Sequence, residues 1–271
     1  MSDGPLAASN ARIRTLRRLT GRRKARQEAG CFVVDGPVLV AEALTSPLTV
    51  REIYAGESCD EPVLADAVGA GVPVTRVVDG VLTRVLDPVS AQEAAALVEL
   101  PAPLTVAELA RSSGSEAPFV LVLAEIQDPG NAGTLMRTAE AAGVDLVVAT
   151  EGTADAFAPK TVRSSAGAVL RVPVIDGVSL HQSLAELGAL GLRRLATRAH
   201  GARAHTSIDL RGPVALVLGN EARGLPPEAD DWVDDGITIP LAGSTESLNV
   251  GAAGAVLCFE ARRQRDQSSG A

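Results

Sequence analysis

Three Gly/Asn-rich segments, each following an apolar run of strand type, limit what this chain can fold into. They are 126–139 (IQDPGNAGTLMRTA), 217–227 (VLGNEARGLPP) and 239–254 (IPLAGSTESLNVGAAG), in that order through the second half. Each places small or amide residues where a core would want bulk. Apolar strands that end in such loops belong to open α/β sheets, which bind ligands at the carboxyl ends of their strands. The run before the second segment, 213–217, is apolar almost throughout and reads as a strand buried on both faces.

The rest of the chain follows the same alternation. Strands are expected at 31–35, 49–55, 73–78 and 94–100, with helices at 38–45, 61–70 and 80–86, which makes a small α/β/α layer. Pro101-Ala-Pro103 and the polar stretch 111–118 (RSSGSEAP) mark a linker. Beyond it, strands are expected at 119–125, 145–150, 172–175, 193–197, 213–218 and 236–239. Helices are expected at 132–142, 160–168, 179–189, 225–231 and 247–264. A chain of 271 residues with this pattern holds two domains, 31–103 and 118–265. A basic helix or arm (1–30) precedes them, 104–117 joins them, and the small polar residues 266–271 read as a frayed tail.

No apolar run reaches the 18 or so residues of a membrane span, and residues 1–10 lack a signal-peptide stretch, so a soluble, cytoplasmic protein is expected. Cys31, Cys59 and Cys258 are odd in number and have no ligand spacing, which points to neither a disulfide framework nor a metal site. His181, His200 and His205 read as surface loop residues. The net charge of −8 argues against nucleic acid, but its distribution argues the other way. Arg12, Arg14, Arg17, Arg18, Arg22, Arg23, Lys24 and Arg26 fall within fifteen residues that contain no acid. Such a block attracts phosphates whatever the total charge. Ile13, Leu16 and Leu19 recur there at helical spacing, so one face can dock while the cations face outward. An RNA-gripping helix is favoured over a solvated tail, with Arg14, Arg17, Arg18, Arg22, Arg23 and Lys24 as the contacts.

Within the motifs, Asp128-Pro-Gly130 is turn chemistry, and Asn131 reads as the N-cap of the helix that follows. Arg137 is a permanent cation in an otherwise Ala/Leu-rich helix, and guanidinium suits phosphate. Gly219 and Gly224 permit the close backbone approach that a flat adenosine needs. Glu221 is placed to accept hydrogen bonds from a cofactor or to orient a loop or subunit contact, and Ser244 to Ser247 offer a local helix cap. The small run 251–254 costs helix propensity, about 1 kcal/mol per glycine, and implies a backbone packed close by, a knotted loop or a partner helix.

The order and content of the three motifs resemble the SpoU/TrmH family (SPOUT superfamily) of S-adenosylmethionine-dependent RNA ribose 2′-O-methyltransferases, strongly over 118–265. Residues 32–43 (FVVDGPVLVAEA) resemble the opening of the ribosomal-protein L30e-like substrate-binding domain that often precedes it. The resemblance implies an α/β chain with an N-terminal L30e-like α/β/α domain and a C-terminal SPOUT α/β domain tied in a deep trefoil knot, a topology that sequence physics alone would not suggest. It implies a homodimer whose two chains complete each site, no metal, and an RNA substrate, 23S rRNA favoured and tRNA open. By position, Arg137 is the family's catalytic arginine, with Asn131, Glu221, Ser247 and Asn249 as polar partners. Leu218, Gly219, Ile239, Leu241 and Leu248 fall on the cofactor pocket, and Arg163, in 160–167 (KTVRSSAG), on a second basic contact. The chain departs from the common pattern at Gly251, where relatives often carry Ser or Ala. A dehydrogenase reading lacks a Gly-x-Gly-x-x-Gly after the first strand. A catalytically silent RNA-binding relative is opposed by the intact polar set. Nothing in the sequence encodes which nucleotide is methylated.

Overall fold

A computed structural model describes residues 4–59, 62–86, 93–108 and 114–269. Two compact units divide the chain: Met1–Ala102 with Phe157–Arg171, and Pro103–Ala156 with Val172–Ala271.

The first unit opens with helices α1 (Ala11–Gly21) and α2 (Arg23–Ala29). The Asn10 side chain caps α1 by accepting from the Arg12 N–H at 2.9 Å. Ile13, Leu16 and Leu19 are at most 1% exposed and join a core with Cys31, Val33, Tyr54 and Leu82. Arg14, Arg17, Arg18, Arg22 and Lys24 are exposed and Arg23 is half-buried, so the amphipathic pattern operates as its spacing indicates. Arg26 is the exception: it is buried and donates to the Leu19 carbonyl. Strands β1 (Cys31–Asp35), β2 (Val50–Gly56), β3 (Val74–Val77) and β4 (Ala94–Glu99) form a sheet in the order β1-β4-β2-β3, antiparallel except between β2 and β3. Helices α3 (Pro37–Thr45), α4 (Pro62–Gly69) and α5 (Val81–Val85) alternate with the strands.

The second unit contains β5 (Phe119–Leu123), α6 (Pro129–Ala142) and β6 (Leu146–Thr150). The chain then contributes a segment to the first unit, with α7 (Pro159–Ser164), and returns as β7 (Val174–Val178) and α8 (Leu180–Ala189). Strands β8 (Arg193–Thr197), β9 (Arg203–Ala204), β10 (Val214–Leu218) and β11 (Asp235–Thr238) precede the last helix, α9 (Val250–Ser269). All seven strands are parallel, in the order β7-β6-β5-β10-β8-β11-β9. β5, β6 and β10 are buried at every position, as strands covered on both faces must be.

Several expectations change. Residues 157–171, read from sequence with the second domain, pack into the first unit. There Phe157 lies on Phe32 at 5.0 Å between ring centroids, and Arg171 pairs with Glu42. The segment 225–231 holds a 3₁₀ turn, Pro227–Asp231, rather than an α-helix. α9 begins at Val250 rather than 247 and continues to Ser269, through residues that read as a frayed tail. Arg262–Asp266 and Arg263–Glu260 pairs line its last turns. The small run 251–254 does accommodate close packing, but against α6 of the same chain. A Cβ at Gly254 would collide with Leu135 Cδ2, and one at Gly251 would lie 3.2 Å from Thr134 Cγ2.

Candidate active site at the carboxyl ends of the parallel strands

The second and third motifs, with Asn131 of the first, line a cleft of about 850 Å³ at the carboxyl ends of β8, β10 and β11. Its apolar lining comes from Leu218, Ile237, Ile239, Leu241, Leu248 and Leu257, and residues 219–224 border it. Gly219, Glu221, Ser247 and Asn249 also line it. Of the expected residues on this unit, only Arg137 is absent from the lining.

A side-chain relay ties the three motifs together. Glu221 Oε1 accepts from Asn131 Nδ2 at 3.0 Å, and Asn131 Oδ1 accepts from Asn249 Nδ2 at 3.1 Å. Asn249 Oδ1 in turn accepts from the Gly251 and Ala252 N–H groups at 2.9 and 3.3 Å, which caps α9. Glu221 also accepts from the Gln127 and Asp128 N–H groups at 3.3 and 3.4 Å. Burial pushes the Glu221 carboxyl up. The hydrogen bonds it accepts, from Asn131, its own N–H, Gln127 and Asp128, outweigh this and hold it below the usual range. A carboxylate is therefore fixed at one end of the relay.

Two helix caps differ from the sequence reading. Asp128, not Asn131, caps α6: its Oδ1 accepts from the Asn131 N–H at 2.9 Å. Pro129 at the first helical position is the signal that places the cap at Asp128, three residues before Asn131. Released from capping, the Asn131 side chain is available to the relay. At α9 the cap is Asn249 rather than a serine or threonine of 244–247, and Ser247 is exposed on the cleft.

The glycines of the second motif also serve the loop itself. Asn220 and Gly224 exchange both backbone hydrogen bonds, at 3.0 and 2.9 Å, so the loop closes on itself. A Cβ at Gly219 would lie 2.5 Å from Gly224 C and Leu225 N. Gly224 has φ +70°. The loop's own geometry demands both glycines. Sequence reasoning passed over Asn220, which is 7% exposed: its Oδ1 accepts from the Ala222 and Arg223 N–H groups at 3.0 and 3.1 Å. The order Gly-Asn-Glu was visible, and an Asx turn was the signal available in it.

Arg137 is exposed on α6, six residues beyond Asn131, hence about 9 Å along the axis and about 240° around it. Every other arginine of this unit among the described residues has an acid or a carbonyl as partner; Arg137 has no hydrogen bond or ion pair with any described residue. Arg163 is placed in the first unit, where it pairs with the nearly buried Asp35 at 2.7 Å. Asp35 at the end of β1 needs a cation, and Arg163 supplies it, so this guanidinium is held inside its own unit rather than displayed.

Fold and cleft together define an α/β protein with a nucleoside-sized site at a carboxyl edge. The SpoU rRNA Methylase family model matches residues 118–259, and the MRM3-like substrate binding domain model matches residues 10–96. The chain is 32% identical over 256 residues to the 23S rRNA (guanosine(2553)-2'-O)-methyltransferase RlmP of Bacillus subtilis, across 94% of this chain and 98% of that one. Its structure matches that of the SpoU methyltransferase AviRb from Streptomyces viridochromogenes in complex with AdoMet, with TM-score 0.84 and 26% identity over 95% of this chain and 100% of that one. An AdoMet-bound rRNA methyltransferase from Sinorhizobium meliloti matches with TM-score 0.81 and 30% identity, over 94% and 95%. The chain belongs to the SpoU rRNA methylase family.

Proposed function

We propose that the protein transfers a methyl group from S-adenosylmethionine to a ribose 2′-hydroxyl of RNA, with 23S rRNA as the substrate class. The relay Glu221–Asn131–Asn249 carries this reading, because it brings the polar residues of three separate motifs to one edge of an aliphatic cleft. The cleft fits the cofactor: its volume lies in the range for such ligands, with aliphatic side chains for a purine and a closed loop of backbone groups for polar edges. Leu218, Gly219, Ile239, Leu241 and Leu248 would hold it. When bound, S-adenosylmethionine supplies an electrophilic sulfonium methyl.

What remains for the chain is alignment. Arg137 binds the phosphate beside the target ribose and polarises its hydroxyl, since a guanidinium keeps its proton. Asn131, Asn249 and Ser247 orient the ribose at the mouth of the cleft, with Glu221 fixing the amides. Because Arg137 lies off the cleft lined by its own Asn131, we assign it to the cleft of a second copy. The face that would join the copies is on α9, where Ala252, Val256 and Phe259 form an exposed apolar stripe at i, i+4 and i+7, Phe259 being 49% exposed. The exposed cations of α1 and α2, Arg14, Arg17, Arg18, Arg22 and Lys24 with half-buried Arg23, grip the RNA. The first unit is then an L30e-like substrate-binding domain, the C-terminal threading is a trefoil knot, and Arg163 serves that domain through Asp35. The match of RlmP over nearly its whole length favours 23S rRNA over tRNA.

The test is methyl transfer from labelled S-adenosylmethionine to separated 23S rRNA and tRNA, with Arg137→Ala alongside. Label in 23S rRNA at a linkage resistant to alkali, absent with the variant, is expected. Label in tRNA alone refutes the substrate class, and no label in either RNA refutes the reaction.

A further inference from the structure

Two residues after β5 the chain takes a conformation that side-chain-bearing residues avoid. Glu125 has φ +55°. Its neighbours fix it there. Its N–H donates to Thr150 Oγ1 at 3.2 Å, and its carbonyl accepts from Asn220 Nδ2 at 2.8 Å. Its carboxylate pairs with Arg223 at 2.9 Å, and its side chain lies against Gly152, where a Cβ would come within 3.1 Å of Glu125 Cγ. Thr150 and Asn220 are 1% and 7% exposed, whereas the Arg223 side chain is 69% exposed. The buried side chains therefore provide the hold, and the solvated ion pair adds little.

Asn220 thus uses its two ends for two purposes. Oδ1 closes the 220–223 turn beneath the cofactor cleft, and Nδ2 grips the residue from which the first motif departs. Six residues after Glu125 comes Asn131, the centre of the relay. A rotation about φ at Glu125 swings the whole segment 126–131, including the Gln127 and Asp128 N–H groups that face Glu221. We infer that Asn220 is a positioning residue that couples the cofactor loop to the ribose-aligning relay by holding Glu125 in its left-handed conformation. The inference rests on the methyl-transfer reading above.

The two ends of the amide can be separated. Asn220→Asp keeps an oxygen for the Ala222 and Arg223 N–H groups but loses the donor to Glu125 and sets a negative charge against its carbonyl. With one directional hydrogen bond removed, kcat is expected to fall about tenfold while the Kd for S-adenosylmethionine stays within about threefold of wild type. Asn220→Ala loses both ends, so both constants worsen about tenfold. In the Asn220→Asp background, Glu125→Gly should recover about threefold or more in kcat, because glycine takes positive φ without the hold; Glu125→Ala should recover nothing. The measurements are steady-state methylation of 23S rRNA and calorimetric titration of the cofactor, on the full chain. The inference is overturned if Asn220→Asp keeps wild-type kcat, if its cofactor affinity falls in step with kcat, or if glycine and alanine at 125 behave alike. A wild-type protein that transfers no methyl to rRNA would instead defeat the methyl-transfer reading, and this inference with it.

Discussion

Gly219→Ala separates two explanations of the same glycine. If residue 219 is small to admit an adenosine, the substitution leaves the cofactor-free protein intact and weakens binding alone. The structure argues for a different cause. A Cβ there lies 2.5 Å from Gly224 C and from Leu225 N, and 2.8 Å from Gly224 O, all backbone atoms with no rotamer to yield. Restoring an ordinary contact of 3.4 Å requires the loop to open by roughly 0.9 Å. The paired Asn220–Gly224 bonds, now 3.0 and 2.9 Å, would then exceed hydrogen-bonding distance. Two net backbone hydrogen bonds are worth about 2 kcal/mol, because the freed groups regain water. Melting of the cofactor-free protein should therefore fall by about 4–8 °C, and cofactor affinity should fall with it. Gly224→Ala provides the control: nothing lies within 4 Å of its Cβ, so its cost is the left-handed backbone alone, about 1–2 kcal/mol. Scanning calorimetry without cofactor, followed by calorimetric titration with it, reads both effects. An unchanged melting temperature for Gly219→Ala, with only affinity reduced, would refute the backbone explanation.

Other consequences are testable in the same preparations. Glu221→Gln removes the charge from the end of the relay and presents an amide donor to backbone donors; an exposed charge-assisted bond of this kind is worth about 1.5 kcal/mol, so kcat/KM should fall about tenfold. Because the folded Glu221 carboxyl titrates below its unfolded value, its stabilisation is complete above the ordinary carboxylate range and lost as pH falls through the lowered value. The gap in melting temperature between wild type and Glu221→Gln should therefore be constant from pH 6 to 8 and close below about pH 4. Mixing inactive Arg137→Ala with inactive Asn249→Ala should restore roughly a quarter of wild-type turnover if sites are shared across a twofold pair, and none if each chain works alone. Replacing exposed Arg17, Arg18 and Arg22 by alanine should leave melting unchanged. It should flatten the dependence of log K for RNA on log salt by roughly 0.7–0.9 for each phosphate no longer neutralised, whereas an unaltered slope would place the RNA elsewhere.

The sequence makes legible whatever depends on period and order. Ile13, Leu16 and Leu19 mark the docked face of α1 because burial follows helical spacing, and the three motifs follow strands because small residues interrupt apolar runs. Features that depend on which of two equivalent groups wins are not legible. Asp128 and Asn131 are both good caps, and only the helix start at Pro129 decides between them. Gly219 is read from its type as room for a ligand, whereas the atoms it makes room for are five and six residues along its own chain. Arg163 and the segment 157–171 escape assignment because their partners, Asp35, Glu42 and Phe32, are more than a hundred residues away, and no local pattern encodes such pairing. Asn220 and Glu125, 95 residues apart, likewise pair without a local pattern. A non-glycine residue with positive φ announces itself only in coordinates.

Charge gives the last link between composition and proposed function. In the second unit the arginines are largely neutralised by neighbours: Arg193 by Asp235, Arg194 by Asp234, Arg198 by Asp230, Arg211 by Asp209, Arg223 by Glu125 and Arg263 by Glu260. Arg265 lies over the Phe119 ring and donates to the carbonyls of Leu210, Ala117 and Gly212. Arg137 alone, among the described residues of this unit, offers an unengaged guanidinium to solvent. A surface of paired charges with an acidic surplus repels a phosphate backbone nearly everywhere, so one free arginine attracts more selectively than it would on a basic face. The exposed cations of α1 and α2 then supply affinity without competing for register, because phosphate contacts carry no sequence information. On this reading the net charge of −8 is part of how the RNA is oriented rather than an obstacle to binding it. Replacing Asp209, which pairs with Arg211 at the surface, by asparagine should therefore raise RNA affinity at low salt while lowering the methylated fraction per binding event. A rise in both would show that the acidic surface plays no part in orientation.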